Sequence, residues 1–449
     1  MFALLAARQV WLQVIEGPSL AARPLNPRHA AIAVGRGSIL ASDGAPLART
    51  RGARRVYPQA ALTAQAVGYA SSRYGTSGLE DAYDTVLTAH ADAVDPLSQL
   101  RQIVSGGARA ARGADVVTTL DLTIQRALVA RLAQYPRAAG VVLDPRTGAV
   151  LALASIPAYD PNALDARWSA LSTSRAAPLL DRSTGGLYPP GSTFKIYTAA
   201  VGLDSGVITR DSTFEDDGGL RIGNFTVRND EEEVTGTQDL TGAFALSSNV
   251  DFAQIALRIG VDRWFAYAQR FGLGQSEEFD LPVTRDRIPA KKDVYDGILA
   301  QLGFGQASLL VTPMRMALIG ATIANDGTTP RPYLVRRIAG SETALATRPE
   351  ILAQPVSAET AHQVRELMIA VVAHGTGTAA RLPGVTVAGK TGTATNPHGR
   401  SHAWFVAFAP ARAPRVAVAV VVENVGYGGT YAAPIAREVL RVALARSRS

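Results

Sequence analysis

The sequence predicts an α+β fold in which an antiparallel sheet flanked by helices carries a helical subdomain, preceded by a smaller N-terminal pedestal domain. Two observations predict it. Strand-like segments stand at both ends of the region 116–449 and enclose a mainly helical middle, which places helices to one side of an antiparallel sheet. Residues 26–115 are instead rich in Gly, Ala and Arg, with short apolar alternations such as Ala31 to Val34, and read as a separate module. A chain of 449 residues with 47% hydrophobic content buries enough apolar surface for two domains and is neither disordered nor fibrous.

The elements follow in order. Residues 1–25 open with Phe2 to Ile15, apolar but interrupted by Arg8 and Gln9. That stretch falls short of the roughly twenty residues a spanning helix needs, and no signal-peptide cleavage site follows it. The second domain begins with Val116 to Leu120 as a strand and Asp121 as a helix cap, and Ile124, Leu128 and Leu132 then share one helical face. Gly140 to Leu143 and Ala149 to Ala154 flank Asp144-Pro145-Arg146-Thr147-Gly148, a hairpin pattern. Near the end, Ala403 to Ala409 and Val416 to Val422 make two more strands, joined through Pro410 and Pro414. A closing helix from about Ala432 sets Ile435, Val439 and Val442 on one face. There is no internal repeat.

Composition excludes several functions. The net charge is +7, yet the arginines are spread along the chain with acids between them, and no aromatic-and-basic array or zinc-finger spacing accompanies them, so no nucleic acid is expected. The basic surplus is densest at Arg23, Arg28, Arg36, Arg49, Arg51, Arg54 and Arg55, which suits an anionic wall or lipid surface, or equally a solvated face. Cysteine is absent, so disulfides and thiolate metal sites are excluded. His398 and His402 flank Gly399 in a hairpin-like stretch with no carboxylate nearby, and both are expected at the surface. The acidic run Asp230-Glu231-Glu232-Glu233 reads as a solvated loop rather than a metal or acid–base site. No metal and no cofactor is expected.

Of 45 basic residues only four are lysines, at 195, 291, 292 and 390, so a lysine is a marked choice in this chain. A desolvated ammonium can lose its proton and act as a base, whereas a guanidinium cannot. Lys195 closes Pro190-Gly191-Ser192-Thr193-Phe194-Lys195, followed by Ile196 to Val201, which reads as a buried helix starting near Ser192. Three residues apart in a helix, the Ser192 hydroxyl and the Lys195 amine are expected to meet. The helix N-terminus favours an alkoxide over an ammonium, and burial lowers the lysine pKa further, so that neutral Lys195 deprotonates Ser192. Downstream, Ser247-Ser248-Asn249 places a hydroxyl and an amide in an apolar run, where each needs a polar partner. Lys390-Thr391-Gly392-Thr393 then sets two hydroxyls beside a cation, at the end of a strand-like segment whose glycines admit a substrate backbone. Taken alone, each of the three also suits a solvated helix, a cap or turn, or a Gly-rich hairpin.

Together, in this order, the three motifs resemble those of the penicilloyl-serine transferases, the penicillin-binding proteins and serine β-lactamases. The resemblance makes Ser192 the nucleophile, Lys195 its base, Ser247 and Asn249 the second motif, and Lys390, Thr391 and Gly392 the third. The middle position of the second motif is Ser248, where relatives often carry Asp, Cys or Tyr. Gly35 to Leu40 with Asp43-Gly44 and Leu47-Ala48 is similar to the opening of the class B N-terminal module. Val117 to Asp121 with Gln125 is similar to the entry to the transpeptidase domain. Val142 to Gly148, Val311 to Ala317 and His402 to Val406 are further matches, and the shorter division-type or PbpA-like branch fits best.

The resemblance implies a β-lactamase/transpeptidase-like fold at 116–449, a class B dimerisation-type pedestal at 26–115, and a partial membrane anchor or juxtamembrane helix at 1–25, with the chain beginning partway through that anchor. It implies a peptidoglycan D,D-transpeptidase at the extracytoplasmic face of the bacterial cytoplasmic membrane, with stem peptides and β-lactams as its ligands and a membrane-embedded glycan polymerase as partner. Lys390, Thr391 and Thr393 are expected to hold the terminal carboxylate of a D-alanyl-D-alanine peptide. The amides of Ser192 and Thr393 are expected to form the oxyanion hole. Asn249 orients Lys195, and Ser247 relays a proton to the departing amine. No Glu-x-x-Leu-Asn stands between Ser247 and Lys390, so deacylation by water is expected to be slow. The rivals are a D,D-carboxypeptidase or β-lactamase on the same fold, a non-catalytic wall scaffold, and a β-lactam sensor.

Overall fold

The computed structural model describes residues 35–88, 112–340, 346–396 and 399–446. Phe2 to Ile15, Ala31 to Val34 and His398 lie outside the described residues. The chain forms two compact units. One takes the residues up to Thr118 with Ala158–Ser174 and Val335–Thr347; the other takes Thr119–Pro157, Arg175–Leu334 and Arg348–Ser449.

The first unit holds a five-stranded sheet in the order Val335–Ala339, Asp115–Thr118, Ile39–Leu40, Pro46–Arg51, Arg54–Val56. Ile39–Leu40 runs parallel to Val116-Val117, and the other pairs are antiparallel. The strand at 115–118, read from sequence as the start of the second domain, therefore belongs to this sheet. Its partner Val335–Ala339 arrives from far along the chain, a pairing that no local pattern announces. Two arginines from the basic N-terminal set are internal rather than solvated. Arg36 Nε lies 2.7 Å from Glu80 Oε2 and Arg55 Nε lies 2.7 Å from Glu80 Oε1, with all three side chains buried. Arg36 Nη1 also reaches Asp84 at 2.6 Å, and Arg55 Nη1 donates to Gly37 O. One carboxylate shared by two planar guanidinium forks lets both charges stay inside.

The second unit is built on an all-antiparallel sheet of strands β1 (Ala138–Leu143), β2 (Val150–Ile156), β3 (Ala388–Ala394), β4 (His402–Ala409) and β5 (Val416–Val422), in the order β3-β4-β5-β1-β2. Its helices are α1 (Leu122–Leu132), α2 (Lys195–Asp204), α3 (Leu240–Leu246), α4 (Asn249–Arg270, broken at Gly260), α5 (Asp296–Gly303), α6 (Pro313–Ala324), α7 (Ala358–Ala373) and α8 (Gly428–Arg446). Asp121 caps α1, its carboxylate accepting from the amides of Thr123 and Ile124.

Strand alternation divides the core. Ala403, Phe405 and Ala407 of β4, with Val416, Val418, Val420 and Val422 of β5, pack on Ile124, Leu128 and Leu132 of α1 and on Ile435, Val439 and Leu440 of α8. On the other face Val406 meets α6, where a Cβ added to Gly320 would come 2.7 Å from Val406 Cγ1. Both faces being covered, β4 and β5 are buried at every residue, which explains their continuous apolar runs. The closing helix starts four residues ahead of Ala432, and Val442, placed on its apolar face from sequence, is only half-buried beside buried Ala443.

Candidate active site

Strand β3 is an edge strand, and the turn before α2 lies against it. Gly191–Phe194 is a single 3-10 turn leading directly into α2, so Ser192 stands one turn ahead of the helix. Gly191 has φ +52°, and a Cβ there would come 2.5 Å from Thr393 O; at Gly392 a Cβ would come 2.9 Å from Thr193 Cγ2 and 3.0 Å from Pro190 O. These two glycines let the backbone of the turn touch the backbone of β3. That approach sets Ser192 beside Thr393, whose amides are expected to hold an oxyanion. Trp404 of β4 fixes the same turn by donating from Nε1 to Pro189 O at 3.1 Å.

The second motif is a corner between helices. Helix α3 ends at Ser247, a non-glycine residue at φ +66°, and Ser248 caps α4 by accepting from the Asp251 amide at 3.1 Å. Asn229 supports the corner from outside: its Oδ1 accepts from the Asn249 amide at 2.7 Å and the Val250 amide at 3.2 Å. The carbonyl and side chain of Ser247 are thereby turned toward α2.

Lys195 and Lys390 converge on Ser247. Lys195 Nζ donates to Ser247 O at 2.5 Å and Asn249 Oδ1 at 2.8 Å, and lies 3.3 Å from Ser247 Oγ. Lys390 Nζ donates to Ser247 Oγ at 2.8 Å and to Thr391 O at 3.2 Å. Both lysines are fully buried, and among the described residues neither is ion-paired. Burial drags the Lys195 ammonium down to about 7, with Asp230 and then Asp251 pulling the other way. Burial, and after it the neighbouring Lys195 charge, pushes Lys390 well below the usual lysine range. An amine lowered to near neutrality is suited to take a proton from a serine hydroxyl.

One expected contact differs here. The Ser192 hydroxyl is not among the hydrogen-bond partners of Lys195, because the left-handed corner at Ser247 offers the amine a carbonyl and an amide oxygen instead. Lys390, expected with Thr391 and Thr393 to hold a carboxylate, is fully buried on β3, 5.6 Å from the Phe244 ring centre, while Ser247 and Thr391 line the cleft. Ser192, Lys195, Ser247, Asn249, Lys390, Thr391, Gly392 and Thr393 nevertheless all fall in one region. Ser192, Ser247, Thr391 and Thr393 line a cleft of about 470 Å³ together with Thr376, Tyr427 and Thr430.

Several contributors escaped the sequence reading. Thr376 Oγ1 sits 2.5 Å from Thr391 Oγ1, and only the Gly375-Thr376-Gly377 loop ahead of β3 hinted at it. Asp251 is fully buried at the start of α4 near Ser248, and burial lifts it to about 6. The acidic run is exposed but does not stand apart from the site: Asp230, Glu231 and Glu233 line the same cleft. His402 is a correction to the expected surface residue. It is buried, its Nδ1 accepts from the Asn424 amide at 3.2 Å, and its ring meets Tyr188 edge-on at 5.5 Å, because β4 is covered on both faces.

Comparison with known proteins agrees with this geometry. Residues 138–441 match the penicillin-binding protein transpeptidase domain, and residues 36–116 match the penicillin-binding protein A dimerisation domain. The chain is 36% identical over 430 residues to the peptidoglycan D,D-transpeptidase PbpA of Mycobacterium tuberculosis, covering 87% of this chain and 84% of that protein. The crystal structure of that organism's PBPA superposes with a TM-score of 0.84 at 34% identity, over 92% of this chain and all of that one. Its penicillin G acyl-enzyme complex superposes with a TM-score of 0.82 at 35% identity, again over 92% of this chain and 100% of that one. The chain belongs to the penicilloyl-serine transferases, as a class B penicillin-binding protein of the PbpA/FtsI-like group. It is a serine-type D,D-transpeptidase that works through an acyl-enzyme.

Proposed function

We propose that Ser192 is the acylated residue and that the enzyme cross-links peptidoglycan stem peptides. The observation that carries this reading is the pair of buried lysines meeting at Ser247 beside Ser192. Neutral Lys195 removes the Ser192 proton, and the oxygen attacks the carbonyl of the penultimate D-alanine. The Ser192 and Thr393 amides receive the developing negative charge, each such donor being worth about 2.7–4 kcal/mol in the transition state. Thr391 and Thr393 hold the terminal carboxylate, with Lys390 behind them supplying a proton path to Ser247. Ser247 passes a proton to the departing D-alanine, and an amine from a second stem peptide then resolves the ester. β-Lactams imitate the donor and remain on Ser192.

The domain reading is a pedestal at 26–115 and a transpeptidase domain at 116–449, supported by the two family matches. The protein works in the cell envelope. Membership of the class B group supports placing it at the extracytoplasmic face of the cytoplasmic membrane, held by an anchor that includes residues 1–25 and working beside a membrane-embedded glycan polymerase. Among the described residues no helix is long and apolar enough to cross a membrane.

Intact-mass analysis after incubation with penicillin tests the site. The wild type is expected to gain one stable adduct, and Ser192→Ala and Lys195→Arg none. An adduct of equal yield on Ser192→Ala would reassign the nucleophile.

A further inference from the structure

The cleft has a floor and a rim of different character. Its floor holds the hydroxyls of Ser192, Ser247, Thr391 and Thr393, with the two buried lysines behind Ser247. On its rim stand Asp230, Glu231 and Glu233. The turn Asp230–Glu232 places them there, with Glu231 and Glu232 at φ +58° and +56°, and Asn229 anchors its root to the start of α4. Tyr427 at the opposite wall donates to Glu231 Oε1 at 2.6 Å. The Asp230 carboxylate has no hydrogen-bond or ion-pair partner among the described residues, yet its charge reaches both lysines. A separate observation points to a ligand in this space: Ser192, a residue more than nine-tenths buried, lines the same cleft, and its hydroxyl has no hydrogen-bond partner among the described residues.

The acyl donor ends in a carboxylate, which three rim carboxylates repel. The second substrate is an amine, which arrives from water as an ammonium and is attracted. We propose that Asp230, Glu231 and Glu233 form the acceptor subsite, selecting amines of net positive charge over zwitterions; this rests on Ser192 as the acylated residue. In the transfer the ammonium releases one proton to solvent, and the free amine attacks the carbonyl carbon of acyl-Ser192. The C–N bond forms as the bond from carbon to Ser192 Oγ breaks. The surplus proton on nitrogen passes through Ser247 and Lys195 to Ser192 Oγ, which returns both serine and base to their starting states.

The test loads the enzyme from a D-alanyl thioester and lets D-alaninamide, cationic at neutral pH, compete with zwitterionic D-alanine. The readout is the ratio of the two amide products. Wild type is expected to favour D-alaninamide, and that preference is expected to fall about three- to tenfold in Asp230→Asn/Glu231→Gln/Glu233→Gln, since each exposed charge contributes a small, salt-screened factor. Gln at 231 still accepts from Tyr427. Both acceptors share Lys195, so a change in its protonation cancels from the ratio. Raising salt on the wild-type protein reproduces the fall without any substitution, which covers a variant that does not fold. Equal use of the two amines, or a preference indifferent to both salt and variant, overturns the acceptor subsite while leaving acylation intact. A wild type that takes up no acyl group overturns the Ser192 reading, and the subsite with it.

Discussion

Two buried clusters of cations solve the same problem in opposite ways. In the N-terminal unit, Arg36 and Arg55 are internal because Glu80 sits between them at 2.7 Å from each. In the catalytic unit, Lys195 and Lys390 are just as buried, but their acceptors are a carbonyl, a hydroxyl and an amide. A guanidinium keeps its charge and so demands a carboxylate partner, whereas an ammonium without one sheds its proton. The difference separates a cluster that holds a module together from one suited to proton transfer.

The sharpest way to break that contrast is to exchange the cations. Lys195→Arg installs a charge that cannot be shed, and acylation by penicillin is expected to slow by about 10²–10⁴-fold, the usual span for loss of a general base. A near-normal rate of adduct formation by mass spectrometry would remove Lys195 from the role of base. The converse change, Glu80→Ala, leaves two arginines uncompensated in the first unit. It is expected to cost about 3–5 kcal/mol, read as a lower urea midpoint; an unmoved midpoint would mean that the arginines find water or another acid.

Two smaller effects sharpen the comparison. With Lys195 titrating near 7 and active when neutral, acylation is expected to rise as pH increases through about 7. Ionised Asp251 favours the charged form of Lys195, so Asp251→Asn is expected to move that rise to lower pH; a shift to higher pH or none would uncouple the two. Smallest of all is Lys291→Ala. This lysine pairs with Asp262 at 2.8 Å on the surface, and no change in melting temperature is expected, because exposed pairs contribute little.

These residues also show what sequence carries and what it does not. The chemistry was legible because Ser192-x-x-Lys195, Ser247-x-Asn249 and Lys390-Thr391-Gly392 are local strings whose residue types are costly to bury without a purpose. Strands β4 and β5 were legible as apolar runs, and Asp121 as a cap. The partners of those strings were not. Asn229, Thr376 and Tyr427 reach the site from separate loops, and beyond the glycines beside Thr376 no local string ties them to it. The pairing of Asp115–Thr118 with Val335–Ala339 is invisible for the same reason. The choice of Ser247 rather than Ser192 as the contact of Lys195 depends on one backbone angle that residue spacing does not encode.

That angle makes position 247 separable into two functions. At φ +66° the residue bends the chain so that its carbonyl meets Lys195, independently of what its side chain does. Glycine adopts this conformation freely and alanine only with strain. The backbone and the hydroxyl can therefore be dissected at a single codon: Ser247→Gly deletes the oxygen while sparing the bend, and any further deficit in Ser247→Ala measures the bend itself.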